Sequence, residues 1–245
     1  MVLFEACYHV ETPAPTQHLI GAPYAISHDL HVAYNYEAAR YEFKGDTARM
    51  GGWNVNQHFN LPVTHMPRMT LNEYAERIPA VLVMLKHQFL LHQGHTVPYI
   101  FRESPGKMER DRAIAAVNNG TFRGDEVDVR IIADLIKVWF RELPTPLLHC
   151  VTMETMDKFM RSNSTHVPGL GSVEHAILLW LADLLLRVAS LETVNHMGVE
   201  QLAIILAPNL IRIDTPNPTV AVAASKASVD FLRHFLRQRQ KELAA

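Results

Sequence analysis

The segment Val173 to Ala189 is apolar on nearly every side. A helix at a protein surface needs one polar face, so such a run has to sit at the centre of a helical body and be covered by other elements. The residues around it supply the cover. Thr70 and Glu73 form a Thr-x-x-Glu capping box, and Tyr74, Ile78, Val81, Leu82, Leu85 and Phe89 follow at helical spacing, predicting a helix from about Thr70 to His92. Lys107 to Asn118 reads as a short helix stopped by Asn119 and Gly120. Asp128 fits an N-cap, and the stripe Val129, Ile132, Leu135, Ile136, Trp139, Phe140 and Leu143 predicts a helix that Pro144 ends. Further helices are expected over about 152–162, 198–206 and 219–241, the last closing on Arg233, Arg237, Arg239 and Lys241, cations that suit a helix C-terminus. Strand-like runs are absent from residue 70 onward. The expectation is an all-α body of about seven helices over residues 59–245.

The N-terminal part reads differently. Residues 1–19 are punctuated by Pro13 and Pro15 and predict a lead-in without periodic structure. From Val32 the alternation of Val32, Tyr34 and Tyr36 against Ala33, Asn35 and Glu37 is a strand pattern. A lone strand cannot satisfy its own backbone groups, and no second one is visible downstream. Addition of this strand to the sheet edge of another protein is the expected remedy. Residues 37–58 carry Lys44-Gly45-Asp46 and Gly51-Gly52 and predict a connector.

Composition removes several classes. A net charge of −2 with no Lys/Arg block leaves no footprint for nucleic acid. Two cysteines, Cys7 and Cys150, make no disulfide framework and suit a reducing compartment. The start lacks the basic flank and cleavage site of a signal peptide, and no apolar run reaches a membrane-spanning length. A cytoplasmic protein is expected. Of the 14 histidines, His28/His31 and His92/His95 are spaced i, i+3, but neither pair adjoins a cysteine pair or a His-Glu-x-x-His pattern, so no metal site is expected. Pro105-Gly106-Lys107 lacks the earlier glycine and the following Ser/Thr of a phosphate-binding loop. No nucleophile–base or paired-carboxylate arrangement is visible. What remains is Arg102 in an apolar loop, Lys137 and Arg141 four apart on one helix face, Asn195, and Asn209 after Pro208. The two cations on one face require either anionic partners or solvent.

These residues carry a family resemblance. Tyr99-Ile-Phe-Arg102-Glu-Ser104 resembles the Gly-Ile-Phe-Arg-x-Ser-Gly loop of Rho GTPase-activating (RhoGAP) domains. Ala133, Leu135, Ile136 and Lys137, then Phe140-Arg-Glu-Leu-Pro144 and Pro146-Leu147, look like that family's second signature. Asn195 with Met197, Leu202-Ala203 and Ala207-Pro-Asn209-Leu210 are similar to its third. Upstream, Ile20, Pro23, His28, His31 and Val32 resemble the CRIB motif, by which effectors bind GTP-loaded Rho-family GTPases, over residues 20–36. Gly21, Ile26 and Ala33 depart from that motif, as Tyr99 and Pro105 depart from the first loop, where the family has glycines.

The resemblance implies a GTPase activator of the plant type that carries a CRIB motif ahead of its catalytic domain. Its partner would be a Rho-family small GTPase in the GTP-bound form. GTP and Mg²⁺ would be carried by that partner, with no cofactor of this chain's own, and the partner would recruit the protein to membranes. Arg102 would be the catalytic finger supplied in trans, Arg141 a support of its loop, Lys137 a contact to the GTPase, and Asn209 the amide that steadies the finger. Asn195 would belong to the same partner-binding and supporting set. A cation placed on the developing phosphoryl charge is worth on the order of 10³–10⁵ in rate. The competing expectation is a non-catalytic adaptor that binds GTP-loaded Rho proteins, and Tyr99 and Pro105 favour it.

Overall fold

The structure, a computed structural model, describes residues 57–244 and three strands ahead of them, Ala6–Tyr8 (β1), Leu30–Asn35 (β2) and Arg40–Lys44 (β3). Apart from turns and loops, the regular structure of residues 57–244 is helical but for a two-stranded ladder of Arg68–Met69 (β4) and Ile78–Pro79 (β5). Eight helices are present among the described residues: Ala80–Leu91 (α1), Lys107–Asn118 (α2), Val129–Arg141 (α3), Met153–Met160 (α4), Ser172–Ala189 (α5), Glu192–Asn195 (α6), Val199–Leu206 (α7) and Pro218–Ala244 (α8).

Two helices organise the core. In α5, Ala176, Ile177, Leu178, Trp180, Leu181, Ala182, Leu184, Leu185 and Val188 are buried, and the helix packs against α7, α8 and β5, as its all-round apolar surface requires. In α3, every residue from Ile131 to Phe140 is buried. It packs on α1, on α2 and on the short turn Ala207–Asn209 that ends α7. Full burial of each Leu, Ile or Phe in these helices stabilises the fold by about 1.5–3 kcal/mol. Asp128 caps α3, its side chain accepting from the Arg130 N–H at 2.7 Å. Gly120, at φ +67, closes α2 in the left-handed region that glycine adopts without cost.

Several expectations need correction. The first long helix begins at Ala80, ten residues after the capping box. Proline disfavours the α region for the residue before it, so Ile78 is extended and Pro79 becomes the N-cap. Residues 70–77 instead turn back so that β5 pairs β4, which also places strand structure beyond residue 70. The helix count is eight rather than seven, because α6 is a single turn. The strand read from Val32 is not alone. β2 lies between β1 and β3 in an antiparallel sheet, with Val32 opposite Ala6 and Phe43, and His31 opposite Cys7 and Lys44. β1 therefore falls in the stretch read as lead-in and β3 in the stretch read as connector. Ile20, Pro23 and His28 lie outside the described residues. No helix among the described residues is long and apolar enough to cross a membrane.

His58 is 2% exposed at the foot of this body, its N–H donating to the Asn118 side chain at 2.8 Å. Burial pushes its imidazole from the ordinary 6.5 down to about 4. Between these values the unfolded chain binds a proton that the folded one refuses, so stability rises with pH through this window. The expected outcome is a loss on the order of 3 kcal/mol as pH falls from 6.5 to 4. Melting curves of the wild type and His58→Gln across that range check it. The variant should show the shallower slope.

Candidate functional site

The connection between α1 and α2, residues 92–106, is held in one path by features of three kinds. The first is steric. Gly94 is buried, and a Cβ there would stand 2.5 Å from the Phe89 ring and 2.7 Å from Val129, so only glycine lets the turn approach α1 and α3 this closely. The second is conformational. Gln93, Tyr99 and Phe101 adopt φ of +53°, +57° and +69°, each costing roughly 1–2 kcal/mol for a residue with a Cβ. Tyr99, the position where the resemblance expects glycine, thus has a glycine-like backbone.

The third is a set of contacts that offset this strain. Ile100 and Phe101 are fully buried, and the Phe101 ring lies 5.5 Å from that of Phe89. The Tyr99 N–H donates to the Asn195 carbonyl at 2.8 Å, and the Arg102 N–H to the Tyr99 carbonyl at 3.0 Å. Lys137, 6% exposed, donates from Nζ to the Phe101 carbonyl at 2.8 Å. Asn195 is completely buried and uses its side chain in full. Its Nδ2 donates to the carbonyls of His95 and Val188, both at 2.7 Å, and its Oδ1 accepts from the Met197 N–H at 2.7 Å. One amide thereby ties the loop to the end of α5 and the start of α7. Partial burial and the charge of Arg187 hold His95 below the usual imidazole range.

These constraints leave Arg102 exposed, with no ion pair among the described residues. Its guanidinium carbon lies 5.8 Å from the centre of the Tyr99 ring, which in turn lies 5.3 Å from His196. The neighbouring acid is drawn elsewhere, because Glu103 accepts from Arg130 Nε at 2.7 Å. That pairing keeps a carboxylate off the arginine beside it. Pro105 stands immediately before Gly106, the N-cap of α2, and so lies outside the helix interior, where a proline would remove a ladder hydrogen bond.

Of the residues singled out in sequence, the structure links Arg102, Lys137 and Asn195 through the loop backbone. Arg141 is exposed at the last turn of α3, so the two cations of that face take different answers: Lys137 has the buried anion Asp134 and Arg141 has solvent. Asn209 donates to the Ile205 carbonyl at 2.9 Å and closes the end of α7. The chain just beyond it is sewn to the segment after α3, with the Leu148 N–H donating to Leu210 at 3.0 Å and Arg212 to the carbonyls of Leu143 and Pro144 at 3.1 Å. Neither Arg141 nor Asn209 has a hydrogen bond to the Arg102 loop among the described residues. His31 and Val32 lie in β2. Sequence reading passed over Asp134 and the Glu103–Arg130 pair. A carboxylate inside an apolar helical stripe, three residues before a lysine, was the available signal for the first.

Truncating Asn195 to Ala would orphan the His95 carbonyl and the Met197 N–H, and would leave the Val188 carbonyl to the Leu191 N–H. A loss of about 3 kcal/mol or more is expected, measurable by urea unfolding, with faster amide exchange at Tyr99 as the local sign.

A family model described as the RhoGAP domain matches residues 79–215. The chain is 32% identical over 169 residues to Rho GTPase-activating protein gacA of Dictyostelium discoideum, covering 66% of this chain and 48% of that protein. It is 25% identical over 229 residues to Rho GTPase-activating protein 1 of Arabidopsis thaliana, covering 91% of this chain and 48% of the relative. It thus spans about half the length of these curated relatives. Among solved structures it is similar in fold to human Rho GTPase-activating protein 15, with a TM-score of 0.57 and 18% identity over 74% of this chain and 90% of the other. The loop bearing Arg102, the helix bearing Lys137 and Arg141, and the turn bearing Asn209 all fall within the matched residues, and the chain belongs to the RhoGAP domain family.

Proposed function

We propose that this chain activates GTP hydrolysis by a Rho-family small GTPase, with Arg102 entering the partner's active site as an arginine finger. The observation that carries the reading is the contrast within one loop. Its backbone is tied down on both sides of Phe101, while the side chain of Arg102 is exposed and has no acidic partner among the described residues. A cation whose base is fixed in advance costs little reorganisation when it meets developing negative charge. Arginine suits the task because its planar fork stays charged and reaches two oxygens. GTP and Mg²⁺ belong to the partner, which this chain engages in its GTP-bound form. Lys137, buried with its ammonium on the Phe101 carbonyl, takes the loop-supporting role in place of the GTPase contact expected of it. The exposed Arg141 and the half-buried Asn209, which have no hydrogen bond to the loop among the described residues, extend the contact surface instead.

The segment containing Ile20, Pro23, His28, His31 and Val32 is proposed to strengthen GTPase binding as a CRIB-like element. The similarity to the Arabidopsis relative covers 91% of the chain and so runs into the residues ahead of 57, which supports this reading. Linking two contacts raises the effective concentration of the second, so this segment acts on affinity more than on chemistry.

A second reading, a non-catalytic adaptor for GTP-loaded Rho proteins, draws on the ring of Tyr99 beside the Arg102 guanidinium. Single-turnover hydrolysis across a panel of Rho-family GTPases separates the two. Arg102→Ala is expected to lower stimulated hydrolysis by at least ~10³-fold while the complex still forms. Complex formation by the wild type without any acceleration would establish the adaptor instead. Removal of residues 1–56, which leaves the buried His58 in place, is expected to raise KM and leave kcat nearly unchanged. A fall in kcat alone would contradict the tethering role.

A further inference from the structure

Asp134 is the buried acid that the finger reading leaves without a task. It is 1% exposed in the middle of α3, among Ile132, Ala133, Leu135 and Ile136, where an apolar residue would be the ordinary occupant. One carboxylate oxygen lies 3.2 Å from Lys137 Nζ. The other is buried without a hydrogen-bond partner, its nearest cation being Arg110 Nη1 at 3.7 Å. Leaving a carboxylate oxygen unpaired in the interior is costly, so its retention has to be set against what Asp134 does for Lys137.

We infer that Asp134 is a positioning residue for the proposed finger, fixing the Lys137 ammonium on the Phe101 carbonyl and thereby setting where Arg102 begins. An ammonium in this interior with only a carbonyl for company would be poorly compensated and drawn toward solvent. The carboxylate three residues earlier on the same helix face gives it a fixed counter-charge. Lys137 then has two anchors, Asp134 in its own helix and Phe101 in the loop. Phe101 is the residue with φ +69, and it directly precedes Arg102. The free oxygen of Asp134 faces Arg110 of α2, the helix into which the same loop runs. One carboxylate thus acts on the loop through Lys137 and on the helix at its exit through Arg110.

This inference rests on the finger reading for its effect on rate, but not for its effect on the loop. The experiment therefore has two arms. Asp134→Asn, nearly the same in shape and without the charge, is compared with the wild type by amide hydrogen exchange at Tyr99 and Arg102, whose N–H groups are bonded within the site. Exchange there is expected to quicken about tenfold or more relative to the interior of α8. In single-turnover hydrolysis with a responsive GTPase, kcat is expected to fall about ten- to hundredfold with KM little changed, and the same substitution on an Arg102→Ala background should add nothing. If Asp134→Asn does not fold, Asp134→Ala, which removes the counter-charge and leaves Lys137 in place, is used instead with the same expected readouts. Unchanged exchange at Tyr99 and Arg102 would overturn the inference, as would a loss of kcat that persists without Arg102. Wild-type protein that accelerates no GTPase would defeat the finger reading alone, since the exchange arm still decides the role of Asp134 in the loop.

Discussion

The hydrogen bond from Lys137 to the Phe101 carbonyl joins the two things this domain has to reconcile, a densely packed apolar core and an exposed cation with a defined starting point. Lys137 belongs to a helix buried without a break from Ile131 to Phe140, and its ammonium reaches the loop that holds Gln93, Tyr99 and Phe101 at positive φ. A purely apolar residue in its place would fill the core equally well and leave the loop carbonyl unsatisfied. A longer or freer cation would reach solvent and leave the core. The bond works because α3 is immobilised by α1, by α2 and by the turn at Asn209. The precision of the loop is borrowed from the packing beneath it.

The strain in that loop is distributed. Three residues with side chains adopt left-handed backbone geometry within nine positions, and each has a compensating contact nearby. Gln93 leads into a glycine turn packed on Phe89 and Val129. Tyr99 is anchored by its N–H on Asn195. Phe101 is anchored by its ring in the core and by its carbonyl on Lys137. Such a loop is expensive to build, yet little ordering remains to be done when a partner arrives. The exposed Arg102 side chain is the part left free to adjust.

The helical body was legible in the sequence because its signals were local and strong. The all-round apolar character of α5, the stripe and Asp128 cap of α3, and the basic end of α8 each specify an element without reference to the others. The start of α1 was misread because two local signals conflicted, the Thr70–Glu73 capping box and the proline at 79, and the β4–β5 pairing that decided between them depends on residues nine and eleven apart. The sheet of β1, β2 and β3 was missed for a related reason. Its three strands are short and separated in sequence, so only the middle one showed alternation. In the site, Arg102, Lys137, Arg141, Asn195 and Asn209 could be named from motif blocks, but their division of labour could not. Whether Lys137 faced solvent or an anion turned on Asp134, and which acid kept clear of Arg102 turned on Arg130, more than twenty residues away.

The position of β2 between two strands of its own chain changes what recognition by that segment would involve. An unpaired strand that joins another protein's sheet gains a new ladder of backbone hydrogen bonds. β2 already has both ladders, one to β1 and one to β3. To pair elsewhere it must release a neighbour, so the count of backbone bonds stays about level across the event. The free energy of such an exchange comes from side chains and from the freedom returned to the displaced strand, and a process so nearly balanced is easily reversed.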